Sequence, residues 1–497
     1  MNYDFVGPAY TSKSREISWE ECLNLYVETV ESRGPKHKYV LLGTPGTLTT
    51  YPAFTDGGLP RCLYTSSTGV MYGVAGNIVY KFDSDESVYP ATIGSIPGYS
   101  RCRMADDGRY LSIVDGANLY VHDMSDESSG LVTPIEITKP THVAFLGGYT
   151  VINNTYLDPA VLFPPTTNLS YYSQLYNAMD WSSTNDPLAL QFFAAEAKPD
   201  PIIAMERVGD IIWQWGPSSY ECRGLSGNPN KPFARIGGSM NDIGCASKDS
   251  TAVIGDSAFW LGSTSHGGLS VYKSQGYDAI RISDYEVEKS ISAVDFSDAI
   301  GWSYEESGHR FYVLTLRNAN ITWVWDDKEQ AWHRRASRIA GTDQMTSWEP
   351  IYATSIGITT YIGSTYAPRI LKLSSDAYTE WDGRLIKRIR SGPVIWSDMK
   401  TIRHNAFLLD MATGVGTVQP GSVGFDPKAM LRWSDDSGYT WSSEYWASFG
   451  LRGDYGMQVR FNRLGVARNR IYEVTITQPV KVVITGAGID GGAGGRY

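Results

Sequence analysis

RCLYTSSTGVMYGVAGNIVYKFD (61–83) and RCRMADDGRYLSIVDGANLYVHD (101–123) are two copies of one pattern. At an offset of 40 residues, Arg61 matches Arg101, Cys62 matches Cys102, Gly76 matches Gly116, Tyr80 matches Tyr120 and Asp83 matches Asp123. Each copy holds short runs of β-branched and aromatic residues broken by Gly or Asn. In the first, Val70–Val74 and Ile78–Phe82 flank Ala75-Gly76-Asn77, which reads as a hairpin. A small all-strand unit recurring every 40-odd residues is the pattern of a β-propeller blade. Five matches at one offset are more than a Gly- and Tyr-rich chain produces by chance.

Looser copies follow at 202–222 (IIAMERVGDIIWQWGPSSYEC) and 251–272 (TAVIGDSAFWLGSTSHGGLSVY), with Gly209 and Gly255, and Gly216 and Gly262, each 46 apart. The runs HRFYVLTL and ITWVWDD within 299–333, the stretch 356–373 and a weak copy at 142–154 extend the series. The expectation is an all-β chain with a propeller of six or seven blades over 59–375. Residues 155–200 fit no blade and read as an insertion. Residues 1–58 show no period and read as an extended arm, which would pack on a neighbouring subunit. Within it, 18–28 reads as one short helix. Residues 376–497 carry alternating runs such as AFLLDM and YEVTITQPVKVVIT and read as a separate β-sandwich-like domain, with a mobile Gly-rich tail, GAGIDGGAGGRY.

Composition supports strands. Of 497 residues, 12% are aromatic, with 50 Gly and 24 Pro to make turns. Charged residues are 19% and the formal net charge is −10, which argues against a basic face gripping phosphates. The cysteines Cys22, Cys62, Cys102, Cys222 and Cys245 are odd in number and form no C-x-x-C pair, so free thiols in a reducing compartment are expected. The N-terminus lacks the basic and apolar regions of an export signal, and no stretch approaches 18 uninterrupted apolar residues, so no membrane span is expected.

Motifs with chemical potential are few. Gly486, Gly488 and Gly491 form G-x-G-x-x-G after an apparent strand, but too little chain follows for the helix that would bind pyrophosphate, so no cofactor is expected. Ser434, Asp436, Gly438, Thr440 and Trp441 match S-x-D-x-G-x-T-W, the Asp box, a self-contained hairpin turn in which the carboxylate accepts backbone N–H groups. Sialidases join such boxes to a propeller. This chain has one box, outside the blades, and no Arg-Ile-Pro near its start, so a sialidase-like glycosidase stands as an alternative, beside a glycan-binding module. His37, His122, His142, His266, His309, His333 and His404 are dispersed without metal-ligand spacing, and no catalytic or metal residue is nominated. The basic run Arg384 to Arg390 would place Arg384, Arg388 and Arg390 on one strand face, either solvated or against an acidic partner.

Several blocks carry a resemblance. Cys22-Leu23-Asn24-Leu25-Tyr26-Val27-Glu28 and Leu41-Leu42-Gly43-Thr44-Pro45-Gly46 are the first. Phe193 to Asp200 with the strand after it, then Gly244-Cys245-Ala246-Ser247 through Phe259-Trp260-Leu261-Gly262, Gly267-Gly268 and Val271-Tyr272, are the others. Together with the Asp box they resemble the packaged-DNA stabilisation proteins, or tail hub (nozzle) proteins, of short-tailed bacteriophages. The resemblance implies a virion protein without enzymatic activity, assembled in the host cytoplasm into a ring, usually hexameric, beneath the portal and adaptor rings. Such a ring extends the DNA channel, helps retain the genome and carries tailspikes or fibres and a needle or plug. Genomic DNA would pass an acidic lumen without sequence-specific binding.

Overall fold

The computed structural model describes residues 2–32, 38–126, 128–135, 139–156, 166–183, 189–195, 198, 200–264, 267–397 and 399–493. Within them the repeat closes into a seven-bladed propeller. Blade 1 consists of Pro60–Thr65, Met71–Ala75, Ile78–Lys81 and Ala91–Ser95. The inner strands of blades 2 to 7 are Arg103–Asp106, Val143–Leu146, Ala204–Val208, Ala252–Ile254, Ala299–Glu306 and Pro350–Ile356. Each touches the next, and the last returns to Pro60–Thr65, so the ring is closed. Blades pack face to face through separate apolar clusters. Val74, Val79, Leu111 and Ile113 join blades 1 and 2, and Trp213, Trp215 and Trp260 join blades 4 and 5. Each large side chain buried this way contributes roughly 1.5–3 kcal/mol. The helix Tyr285–Ser292, capped by Asp284 Oδ1 accepting from Val287 N at 3.0 Å, sinks Val287 and Ile291 between blades 5 and 6.

Residues 155–200 are not an insertion as a whole. Leu169–Tyr172 and Phe192–Ala194 are the outer two strands of blade 3, pairing in order onto Tyr149–Asn153. Long connections between these strands stretch the 40-residue spacing, and that hid them. Blade 7 draws its outermost strand from the other end of the region: Gly46–Thr49 pairs antiparallel with Ile370–Ser374, in the register Leu371↔Thr49 to Ser374↔Gly46. The arm therefore fastens the ring.

Much of the rest of the arm also packs on its own chain. Two sheets form the C-terminal sandwich. In one, Val483–Ala493 is central, flanked by Tyr39–Gly43 and Asn2–Tyr3 on one side and Ile402–Met411 on the other. The tail expected to be mobile is thus, as far as Ala493, the middle strand of a sheet; residues 494–497 lie outside the described residues. Gly491 answers a packing demand, since a Cβ there would lie 2.0 Å from the Arg403 carbonyl oxygen. Phe5, Leu25, Val27 and Leu41 of the arm enter the same core as Phe407, Leu431, Phe461 and Ile484. The helix expected over 18–28 gives way to the strands Cys22–Leu23 and Leu25–Thr29. Burial of these side chains between two sheets outweighs local helix preference.

Cys22–Leu23 is the seam of the molecule. It runs parallel to the last long strand of blade 6, Ala331–Arg338, and antiparallel to Arg388–Ser391 of the second sandwich sheet. Blade 6 and that sheet are therefore one continuous sheet. Asn24 follows at φ 53 and is 1% exposed. Its Nδ2 donates to Ala336 O at 2.9 Å and Lys387 O at 2.8 Å, its Oδ1 accepts from Ala336 N at 3.0 Å, and its N–H donates to Arg334 O at 2.9 Å. Replacing Asn24 with Ala strands three buried backbone groups and puts at φ 53 a residue that tolerates positive φ less well than asparagine. The expected cost is about 3 kcal/mol, read as a lowered midpoint in urea unfolding followed by tryptophan fluorescence.

Candidate functional site

Three places gather polar or exposed groups: the propeller axis, the closure of blade 7, and the outer face of the sandwich. At the axis, Arg103 of blade 2 pairs with Glu206 of blade 4 (Nη1–Oε1 2.5 Å). Its Nη2 donates to Lys248 O at 3.1 Å and Thr251 Oγ1 at 3.0 Å, on the segment entering blade 5, and Thr251 Oγ1 donates to Glu206 at 2.8 Å. Arg101 donates to Asp249 O at 2.5 Å and lies over the Tyr352 ring of blade 7 at 5.0 Å. His142, before blade 3, sets Nε2 3.1 Å from Lys248 O while Nδ1 faces Thr141 Oγ1 at 2.9 Å. Burial, with Arg103, Lys248 and Arg101 nearby, holds His142 well below its usual range and therefore neutral. Burial pushes the Asp249 carboxyl up, but Arg101, Lys248 and Arg103 outweigh it and leave the net shift downward. A cavity of about 310 Å³ adjoins these groups. Glu206 is taken up by Arg103 and Thr251, and the cluster laces five blades together. The sequence held no signal for it. Arg61 and Arg101 occupy the same repeat position, yet Arg61 binds the carbonyls of Gly76, Ile96 and Ser100 next to its own blade, while Arg101 turns to the axis.

In the basic run Arg388 and Arg390 are buried and Arg384 is partly buried. Arg384 pairs with Glu349 and, at 2.6 Å, with Asp382, and Arg390 pairs with Glu20 at 2.9 Å and donates to Phe5 O at 2.9 Å. Neither the solvated face nor the contact with a foreign acidic surface holds for these two, because the arm (Glu20), the segment entering blade 7 (Glu349) and the loop after it (Asp382) supply the acids. Glu380 accepts from Thr47 Oγ1 of the fastening strand at 2.9 Å and from Ser337 Oγ of blade 6 at 3.0 Å. Burial, reinforced by the Glu349 charge, pushes its carboxyl up to about 7.

The Asp box closes the hairpin between Lys428–Ser434 and Tyr445–Ser448. Asp436 Oδ1 accepts from Thr440 N at 2.8 Å, Tyr439 N at 3.1 Å and Ser434 Oγ at 2.7 Å, and Oδ2 accepts from Thr440 Oγ1 at 2.6 Å. Hydrogen bonds led by that from Thr440 hold its carboxyl down at about 2. Gly438 takes φ 87, and Trp441 packs against Trp19 of the arm (5.4 Å) with the Arg432 guanidinium over it at 4.6 Å. The carboxylate is consumed by its own turn. All five cysteines are free and buried. Among the described residues no group of three or more His, Cys, Asp or Glu is placed to hold a metal, and no helix is long and apolar enough to cross a membrane; His37 and His266 lie outside those residues.

Residues 24–378 match the family model described as "Bacteriophage P22 Gp10, beta-propeller", and 387–492 match "Bacteriophage P22 Gp10, beta-sandwich". The chain belongs to the bacteriophage P22 Gp10 family. It is therefore a structural protein of a phage tail, and the Gp10 propeller and sandwich are the two bodies described above. No curated protein matches this Gp10 family member. Among solved structures it is similar to the extracellular domain of the one-component system BT4673 from B. thetaiotaomicron (11% identity, 81% of this chain and 47% of that one, TM-score 0.39). It is also similar to the N-terminal domain of Nup159 (10%, 71% and 97%, 0.39) and the Neurospora crassa Pan2 WD40 domain (7%, 64% and 88%, 0.40). This chain thus spans about half of the BT4673 domain.

The Glu380 geometry gives a pH signature. A carboxyl raised from 4.5 to about 7 by folding stabilises the folded state most below its unfolded pKa, and that contribution is lost as pH rises towards 7. Glu286, also pushed up to about 7 by burial, acts with the same sign. Glu380→Gln should flatten the fall in unfolding free energy between pH 5 and 8 by up to about 3 kcal/mol, leaving the Glu286 share. Equal slopes for the two proteins in urea titrations would refute the assignment.

Proposed function

We propose that copies of this Gp10-family chain close into a ring of six beneath the portal and adaptor rings of a short-tailed phage. The ring extends the DNA channel, helps keep the packaged genome in place, and carries tailspikes or fibres and a needle or plug. The observation that carries this reading is the exposed apolar surface of the sandwich. The edge strands Tyr445–Ser448 and Val459–Asn462 lie against each other, each hydrogen-bonded on one side only among the described residues. Trp446 on the first, Tyr455 and Met457 between them, and Trp396 and Tyr439 elsewhere on the sandwich stand in solvent, Tyr455 at 76%. Large apolar side chains collected at open sheet edges mark an interaction surface. A contact made by this face on a different face of the next copy is heterologous and can close into a ring.

The continuous sheet from blade 6 into the sandwich supports the mechanical side of the reading, because it couples the two bodies so that load on one passes to the other. Net charge −10 supports a lumen that DNA slides past, since phosphate neutralisation is the main source of nonspecific affinity. On this reading the Asp-box residues Ser434, Asp436, Gly438, Thr440 and Trp441 are a structural turn, and the chain is not an enzyme. It acts in the virion without cofactor or metal and contacts no membrane.

Native mass spectrometry of the protein mixed with its adaptor ring should give complexes holding six copies, and Trp446→Glu should reduce them to free subunits while circular dichroism stays unchanged. A persistent monomer in the wild-type mixture would sink the ring. Incubation with sialosides should release no sugar; measurable hydrolysis would move the assignment to the glycosidase reading.

A further inference from the structure

Arm, propeller and sandwich meet around a pocket of about 200 Å³. Its wall includes Glu28 and Gly43 of the arm, His309 of blade 6, Asp376 after blade 7, and Arg388 and Lys481 of the sandwich. The floor is cationic and unsatisfied. Arg388 is 1% exposed, and its Nε has no hydrogen-bond partner. The guanidinium makes one long bond, from Nη1 to Ile386 O at 3.5 Å, and among the described residues no carboxylate pairs with it. Its neighbours in the same run behave otherwise, since Arg384 and Arg390 both hold carboxylates.

His309, on the same pocket and equally buried, presents Nδ1 to Asp326 Oδ2 at 2.6 Å and leaves Nε2 without a partner. Two buried polar nitrogens on one small pocket, one belonging to a full charge, are a costly arrangement when nothing answers them. The acids on the pocket do not answer them. Asp376 is exposed at the rim, and the Glu28 carboxylate lies 3.9 Å from Lys328. Glu380 and Tyr378 offset Arg388 only through space, and burial still pulls its pKa down to about 10. The chain also makes room for the guanidinium: a Cβ at Gly43 would lie 2.8 Å from Arg388 Nε.

We propose that this pocket binds a free tetrahedral oxyanion of the phosphate or sulfate class, held by Arg388 on the floor and Lys481 at the rim. Asp326 accepts from His309 Nδ1–H, and the hydroxyl of a hydrogen phosphate donates to the bare Nε2, so both ring nitrogens are satisfied. A guanidinium offers planar paired donors suited to such oxygens. The bound anion supplies the counter-charge that Arg388 lacks and ties arm, propeller and sandwich at one point. The site is independent of the ring reading.

The test uses the full-length protein and inorganic phosphate. At constant ionic strength set with chloride, the melting temperature should rise with the logarithm of phosphate concentration above its dissociation constant, and calorimetry should give one site per chain. Arg388→Gln should weaken phosphate binding at least tenfold while leaving the anion-free protein no less stable, because it removes an uncompensated buried charge. If that variant does not fold, Gly43→Ala decides: displacing the guanidinium should abolish the phosphate response. Lys481→Gln, at an exposed position, should weaken binding severalfold. Equal responses in wild type and Arg388→Gln, an unchanged affinity in Gly43→Ala, or stabilisation by a single-stranded oligonucleotide but not by phosphate would each overturn the proposal.

Discussion

The hydrogen bonds of Asn24 hold the architecture together. One short strand, Cys22–Leu23, must pair in parallel with a propeller blade and antiparallel with a sandwich sheet. The chain then has to leave that strand sharply enough for Leu25–Thr29 to enter the opposite sandwich sheet. A residue at φ 53 makes the bend, and the Asn24 amide occupies the backbone groups of Ala336 and Lys387 that the bend would otherwise leave bare. Asparagine tolerates this conformation and carries both a donor and an acceptor, so one side chain meets both demands.

From that point the arm threads both bodies. Upstream, Tyr3 and Phe5 fill the sandwich core; downstream, Gly46–Thr49 closes blade 7. Buried charges follow the same route. Glu20 meets Arg390, and Thr47 meets Glu380. A ring of blades has to be fastened somewhere, and here the fastening strand is tied through Glu380 to blade 6, the blade that continues into the sandwich. The result is a propeller whose closure and whose junction with the second body share a set of side chains.

Much of this was legible in the residues. The 40-residue offset reflects one blade repeated, and blades 1 and 2, with short loops, keep it well. Of blade 3 only the inner hairpin, the weak copy at 142–154, is legible, because its outer strands are separated by long connections, and spacing is the first thing such loops erase. The Asp-box turn was readable because every bond in it is local, from Asp436 to residues within four positions. The axial cluster was not, since Arg103, Glu206 and Thr251 are far apart in sequence and share no local pattern.

By itself the sequence determined the class: strands of β-branched and aromatic residues, turns at regular glycines, a repeat that can bury its faces only by stacking on itself. These are consequences of side-chain alternation and turn chemistry, which act over a few residues. Tertiary structure alone decided that there are seven blades, that the arm is woven into its own subunit, that the Gly-rich end is a central strand, and that Arg388 and Arg390 are buried. Each of these depends on partners hundreds of residues away, and pairing energy between distant segments leaves no periodic trace in either one.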